Sequence, residues 1–123
     1  SQGVKIMTGT DANLPPTVPG FSLHDEFLSL NKAGMSTAQV LQSATAIPAN
    51  YLGSNSGVIA QGRDANLVLL DKSPLENMSY TKSINSVIMK GQLYDRDLLD
   101  DMLKAVKDAN DASRKVDINQ YAN

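Results

Sequence analysis

The period of apolar and polar positions changes several times along the chain. Val4 to Thr8 is a short apolar run that stops at Gly9, which predicts a strand. A loop rich in turn residues follows, through Pro15, Pro16, Pro19 and Gly20. Ser22 with Asp25 has the spacing of a capping box, and Leu23, Phe27 and Leu30 share one face until Gly34, so a helix is expected there. Ser36 with Gln39 repeats the box, with Met35 and Val40 placed as a hydrophobic staple, and the second helix should reach about Thr45. Pro48 to Leu52, closed by Gly53, predicts one further helical turn.

After Gly53 the texture becomes that of a sheet. Ser54 to Gly57 reads as a turn, and Val58 to Ala60 and Leu67 to Leu70 read as short strands. Ile84 to Met89 and Gln92 to Tyr94 flank Lys90-Gly91, a dipeptide suited to a tight hairpin. From an Asp95 cap, Leu98, Leu99, Met102, Leu103, Val106 and Ala109 recur at helical spacing opposite Asp101, Lys104 and Asp108. That pattern predicts an amphipathic helix whose apolar stripe faces a core. Beyond Asn110 a frayed tail is expected. Asp-Ala-Asn-Leu occurs at Asp11 and at Asp64, but the flanking residues do not match and no repeat is inferred.

Composition narrows the function classes. With 123 residues the chain is one ordinary domain at most, short of the roughly 250 an eight-stranded α/β barrel typically needs. A net charge of −2, with mixed signs, leaves no basic footprint for nucleic acid or anionic lipid. There is no cysteine, which excludes disulfides, thiolate nucleophiles and zinc-thiolate sites. No apolar run approaches the roughly 20 residues that cross a bilayer, so no membrane partner is expected. Localisation is left open.

Three segments, taken in order, resemble the amidohydrolase superfamily, specifically the branch with imidazolonepropionase-like enzymes and prolidase-type dipeptidases. Gly3 to Ala12 looks like a last barrel strand ending in Gly-Thr-Asp-Ala. His24-Asp25-Glu26-Phe27 through Ala33-Gly34-Met35-Ser36, and on to Leu41, Ala44-Thr45 and Pro48-Ala49, is similar to the helix pair after that strand. Leu52-Gly53, Gly57-Val58-Ile59, Gly62, Asp64 to Asp71 and Pro74-Leu75 resemble the return into a small β domain. The resemblance implies an α/β fold: residues 1–53 the C-terminal part of a TIM-type (β/α)8 barrel, 54–94 strands of the small domain, 95–123 a terminal helix and tail. The barrel would be incomplete within this chain.

The resemblance also implies that Asp11 is the catalytic carboxylate, contacting a divalent metal, zinc in the first instance, and accepting the proton of the attacking water. Physical chemistry agrees, because a carboxylate at the C-terminal end of a barrel strand points into the mouth where such chemistry occurs. Without the family, an Asp after Gly-Thr is more often a turn former. Asn13 and His24 are candidates for the substrate loop. The implied remaining ligands, a His-x-His pair, a lysine carbamate or Glu and further histidines, are not in this sequence, whose single histidine is His24. His24 in a helix's first turn is more simply structural than a ligand. Asp25 and Glu26 look like a catalytic pair, but acidic residues complement the macrodipole of a first turn. Asn66 stands where the family commonly has Asp. Gly9-Thr10-Asp11 lacks the spacing of a phosphate-binding loop.

The expected function is the C-terminal portion of a metal-dependent hydrolase of carbon-nitrogen bonds in a cyclic amide, N-acyl amino acid or dipeptide. This chain alone would be inactive and would hold no cofactor. The alternative is a non-catalytic truncated protein persisting as an oligomer or interaction module. In either case self-association is expected, because cutting the helices from a barrel would expose Phe27, Leu30, Val40 and Leu41.

Overall fold

The computed structural model describes residues 3–12 and 16–115. The described residues hold four α-helices, one 3-10 helix and a three-stranded sheet, a mixed α/β arrangement. The first three helices, α1 (Phe21–Lys32), α2 (Thr37–Ala44) and α3 (Ala46–Leu52), form a consecutive layer. Strand β1 (Leu67–Leu70) leads through the 3-10 helix (Met78–Lys82) to β2 (Ile84–Met89), β3 (Gln92–Tyr94) and α4 (Arg96–Ser113).

Local capping accounts for three helix ends. Ser36 Oγ accepts the Gln39 N–H at 3.2 Å and Gln39 Oε1 accepts the Ser36 N–H at 2.8 Å, the expected reciprocal box at the start of α2. α3 ends on Gly53 in the left-handed region at φ 66, which lets the Ser54 N–H reach back to the Ala49 carbonyl at 2.9 Å. Asp95 caps α4 by accepting the Leu98 N–H at 2.9 Å.

Ser22 does not cap α1, which begins one residue earlier, after Gly20. Its hydroxyl accepts the Val18 N–H at 2.7 Å while its own N–H bonds the Val18 carbonyl, so the side chain is committed to the incoming loop. Asp25 is beyond the first turn and pairs with Lys82 at 3.1 Å instead.

The sheet is antiparallel in the order β1-β2-β3. Val68 faces Val87, which faces Tyr94, with an irregularity between Leu69 and Leu70. Lys90 and Gly91 both take positive φ, 52 and 81, the backbone of a two-residue hairpin whose twist matches its strands. Asn66 Oδ1 accepts the Lys90 N–H at 2.9 Å, an acceptor role that the amide fills as a carboxylate would.

Two expected strands are not strands. Val4 to Thr8 joins no ladder: among the described residues its backbone tie is Thr8 N–H to the Ser43 carbonyl at 3.0 Å, and Val4 is 79% exposed. Val58 to Ala60 lies in a turn region between α3 and β1. Both have strand composition but no neighbouring strand among the described residues, and a strand exists only through its ladder.

The core is small and lies under the helical layer. Phe27, Val40 and Met78 are buried together, with Leu23, Leu28, Leu30, Met35, Leu41 and Ala44 packed around them. Met78, 1% exposed, enters from the 3-10 helix and closes the surface that the helix pair was expected to leave open. Phe27 and Val40 are therefore buried, and Leu30 and Leu41 half-buried, within the chain itself.

The final helix departs from expectation in the opposite sense. It runs to Ser113, past Asn110, and none of its residues is buried. Leu98, Met102, Leu103 and Val106 are exposed, so the stripe faces no core among the described residues. The helix is tied to the sheet at its start, where the Arg96 guanidinium donates to the Ile84 carbonyl at 2.9 Å. The expected frayed tail beyond residue 115 lies outside the described residues.

Candidate functional site

The segment from Thr8 to Asp11 is held by two different helices. Thr8 donates twice to the Ser43 carbonyl, from its N–H at 3.0 Å and from Oγ1 at 3.3 Å. That carbonyl belongs to a fully buried serine whose own Oγ donates to the Val40 carbonyl at 2.7 Å, so its position is set by the core. One residue further, the Gly9 N–H donates to Glu26 Oε1 at 2.9 Å. Asp11 follows at φ 45, a conformation that Asp tolerates better than most side chains, and is exposed.

Glu26 is thus not a first-turn acid answering the helix dipole; α1 has no acidic residue in its first turn. Its Oε1 holds the loop, and its Oε2 is shut from solvent with no hydrogen-bond partner among the described residues. Sequence reasoning missed Glu26 and Ser43 as supports. The pairs lie 17 and 35 positions apart, beyond any local pattern.

His24 faces the 3-10 helix. Its Nδ1 lies 3.0 Å from Thr81 Oγ1, and its ring meets Phe27 edge-on with centroids 6.4 Å apart. Thr81 Oγ1 also donates to the Met78 carbonyl at 3.0 Å, so this hydroxyl links His24 to the backbone of the 3-10 helix. Burial, then the nearby Lys82 ammonium, lower the His24 pKa from its ordinary 6.5, and Asp25 partly opposes them. These contacts give His24 a packing role between α1 and the 3-10 helix. Asn13, the other substrate-loop candidate, lies outside the described residues.

Two shallow clefts stand out among the described residues. One of about 540 Å³ is lined by Asp64, Ala65, Asn66, Lys90 and Gly91; the other, of about 440 Å³, lies between Gly3 to Ile6 and residues Met35, Gln39, Gln42 and Ile47. Neither is lined by Asp11 or His24.

Among the described residues no group of three or more His, Cys, Asp and Glu side chains could hold a metal ion. The residues present therefore do not fit a catalytic divalent metal by themselves: Asp11 is one carboxylate, and His24 is turned to Thr81. No helix among the described residues is long and apolar enough to cross a membrane.

An irregular segment ending in an exposed, propped aspartate is followed by the helical layer and a small antiparallel sheet, a mixed α/β arrangement. Residues 1–94 match the Amidohydrolase family, and the chain belongs to that family. Among solved structures it is similar to a Xaa-Pro dipeptidase with bound methionine in its active site, at 33% identity and a TM-score of 0.67, covering 76% of this chain and 23% of that one. It is also similar to an amidohydrolase at 31% identity and a TM-score of 0.53, covering 58% of this chain and 19% of that one. Molinate hydrolase shares the fold, at 22% identity and a TM-score of 0.61, covering 72% of this chain and 20% of that one. The chain spans between 19% and 23% of the length of these three solved proteins. No curated protein matches it.

Proposed function

We propose that this chain is the C-terminal part of a metal-dependent hydrolase of carbon-nitrogen bonds, acting on a dipeptide, an N-acyl amino acid or a cyclic amide, with Asp11 as its acid-base carboxylate. The observation that carries the reading is the two-point support of the Asp11 turn by Ser43 and Glu26 in a chain of the amidohydrolase family. A flexible, merely solvated aspartate would need no such support. Residues 1–53 are read as the end of a (β/α)8 barrel, within the imidazolonepropionase-like and prolidase-type branch. Residues 54–94 then belong to a small β domain, and 95–123 to a terminal helix and tail.

On this reading Asp11 accepts a proton from the attacking water and returns it to the leaving amine, and each transfer needs the carboxylate within hydrogen-bond reach of the reacting atoms. The divalent metal, with zinc as the first candidate, would be contacted by Asp11 and otherwise held by residues beyond this chain, since the described ones bring no ligand set. Asn13 and His24 are assigned to the substrate side of the loop and to its helix, His24 through packing. The substrate is a small molecule, and neither nucleic acid nor membrane is part of the reading.

The test is turnover by the protein that carries this sequence, loaded with zinc, on a panel of dipeptides, N-acyl amino acids and cyclic amides. Hydrolysis of at least one class, lost on chelation and regained with metal, is expected. A metal-loaded, folded protein inert across the panel would reject the reading. It would favour the second one, a non-catalytic module, which draws on the exposed apolar face of α4.

A further inference from the structure

We propose that Glu26 is a positioning residue that sets the direction of the Asp11 carboxylate by clamping the turn two residues before it. The catalytic meaning of the clamp rests on the assignment of Asp11 above; the clamp itself does not.

Three observations converge on it. The Gly9 N–H donates to Glu26 Oε1 at 2.9 Å across 17 positions of sequence, a charge-assisted bond from loop to helix. Glu26 forms no ion pair among the described residues, so no cation competes for the carboxylate. Its Oε2 is closed off from water without a partner among them, an arrangement that a surface glutamate serving only solubility would avoid by rotating outward.

The geometry explains why one amide is enough. Thr8 is already pinned to the Ser43 carbonyl, so fixing the Gly9 N–H orients the Thr8–Gly9 peptide plane from which the turn departs. Asp11 follows after Thr10, in a positive-φ conformation that few alternatives share. Two pinned residues, a one-residue span through Thr10 and then a residue in a narrow conformational well narrow the directions open to the Asp11 side chain. Released at Gly9, the turn would keep its Thr8 anchor but swing about it.

The experiment is amide hydrogen exchange and backbone chemical shifts by NMR on the purified chain, wild type against Glu26→Ala, Glu26→Gln and Glu26→Asp. Glu26→Ala should speed exchange at Gly9 by about tenfold and move the Asp11 Cα shift away from its positive-φ value. Phe27, Val40 and Met78 resonances should stay in place. Glu26→Gln, which still offers an oxygen at the same reach, should restore most of both signals. Should Glu26→Ala lower overall stability, Glu26→Asp keeps the charge but falls short of Gly9 and gives the same readout. Unchanged Gly9 exchange and Asp11 shift in both Ala and Asp variants would overturn the proposal, as would core resonances moving as much as the turn. Because no turnover is read, such a failure would leave the role of Asp11 itself standing.

Discussion

Replacing Gly57 by alanine should be far more damaging than the same change at Gly62, although both have φ 82. A Cβ at Gly57 would lie 2.5 Å from the Ala49 Cβ and 2.6 Å from the Thr45 carbonyl oxygen, whereas at Gly62 nothing lies within 4 Å. The obstacle is backbone: the Thr45 oxygen accepts the Ala49 N–H at 3.1 Å at the start of α3, so neither atom can swing aside. The shared cost of a left-handed alanine is roughly 1–2 kcal/mol, partly offset by about 0.4–1 kcal/mol from the stiffer unfolded chain. Overpacking adds roughly 1–3 kcal/mol at Gly57 alone. Gly62→Ala should therefore cost about 1 kcal/mol and Gly57→Ala about 2–4 kcal/mol. Urea unfolding followed by far-ultraviolet circular dichroism measures both, since the chain has no tryptophan. A lower midpoint at unchanged slope is expected. Thr45 is two residues from Ser43, so Gly57→Ala should also loosen the Thr8 amide bonded there. Equal losses at the two glycines, within about 0.5 kcal/mol of each other, would refute the packing of the Gly57 turn against the α2–α3 corner.

Other outcomes follow from the same contacts. Met78→Ala, emptying the plug over Phe27 and Val40, should cost about 2–5 kcal/mol in the same urea assay; a loss below about 1 kcal/mol would mean the 3-10 helix does not close the core. Because the folded His24 pKa is lowered, the unfolded chain binds the extra proton, so this contribution is complete above pH 6.5 and lost as pH falls through the folded pKa. Stability measured against pH in wild type and His24→Gln should differ in that acidic window, and a wild type gaining stability there relative to the variant would contradict the sign. Light scattering across a dilution series should show self-association, now assigned to Val4, Phe21, Ile59 and the α4 stripe in place of the buried Phe27 and Val40; a compact monomer at high micromolar concentration would refute it.

Features set by neighbours in sequence were mostly legible without coordinates, the Ser22–Asp25 box at α1 being the exception. The Ser36-Gln39 box, the Gly53 stop, the Lys90-Gly91 hairpin and the Asp95 cap each depend on a few adjacent residues, and each stands where expected. What depends on distant partners was not legible. Val4 to Thr8 and Val58 to Ala60 have the composition of strands, yet pairing is decided by chain far away. Met78 gave no periodic signal, because a 3-10 helix of five residues is too short to show one. The α4 stripe marked an apolar face correctly but could not say what covers it.

The site divides along the same line. Asp11 was placed by family resemblance, since Gly-Thr-Asp alone is as good a turn as a catalytic motif. Glu26 was in view but assigned to the helix dipole, the local explanation, when its partner is Gly9 in the preceding loop. Ser43 is a small polar residue inside the apolar run Val40, Leu41 and Ala44, which hinted at a buried polar task without naming Thr8 as its object.

The central claim, that Asp11 moves the proton in carbon-nitrogen bond hydrolysis, is tested most directly by kcat of the metal-loaded protein carrying this sequence against its Asp11→Asn variant. The amide keeps the size and turn preference of the side chain but cannot accept the proton. A fall in kcat of roughly 10²–10⁴-fold is predicted, measured with both proteins loaded to the same metal content and with the unfolding midpoint unchanged. Turnover by Asp11→Asn within a few fold of wild type would contradict it.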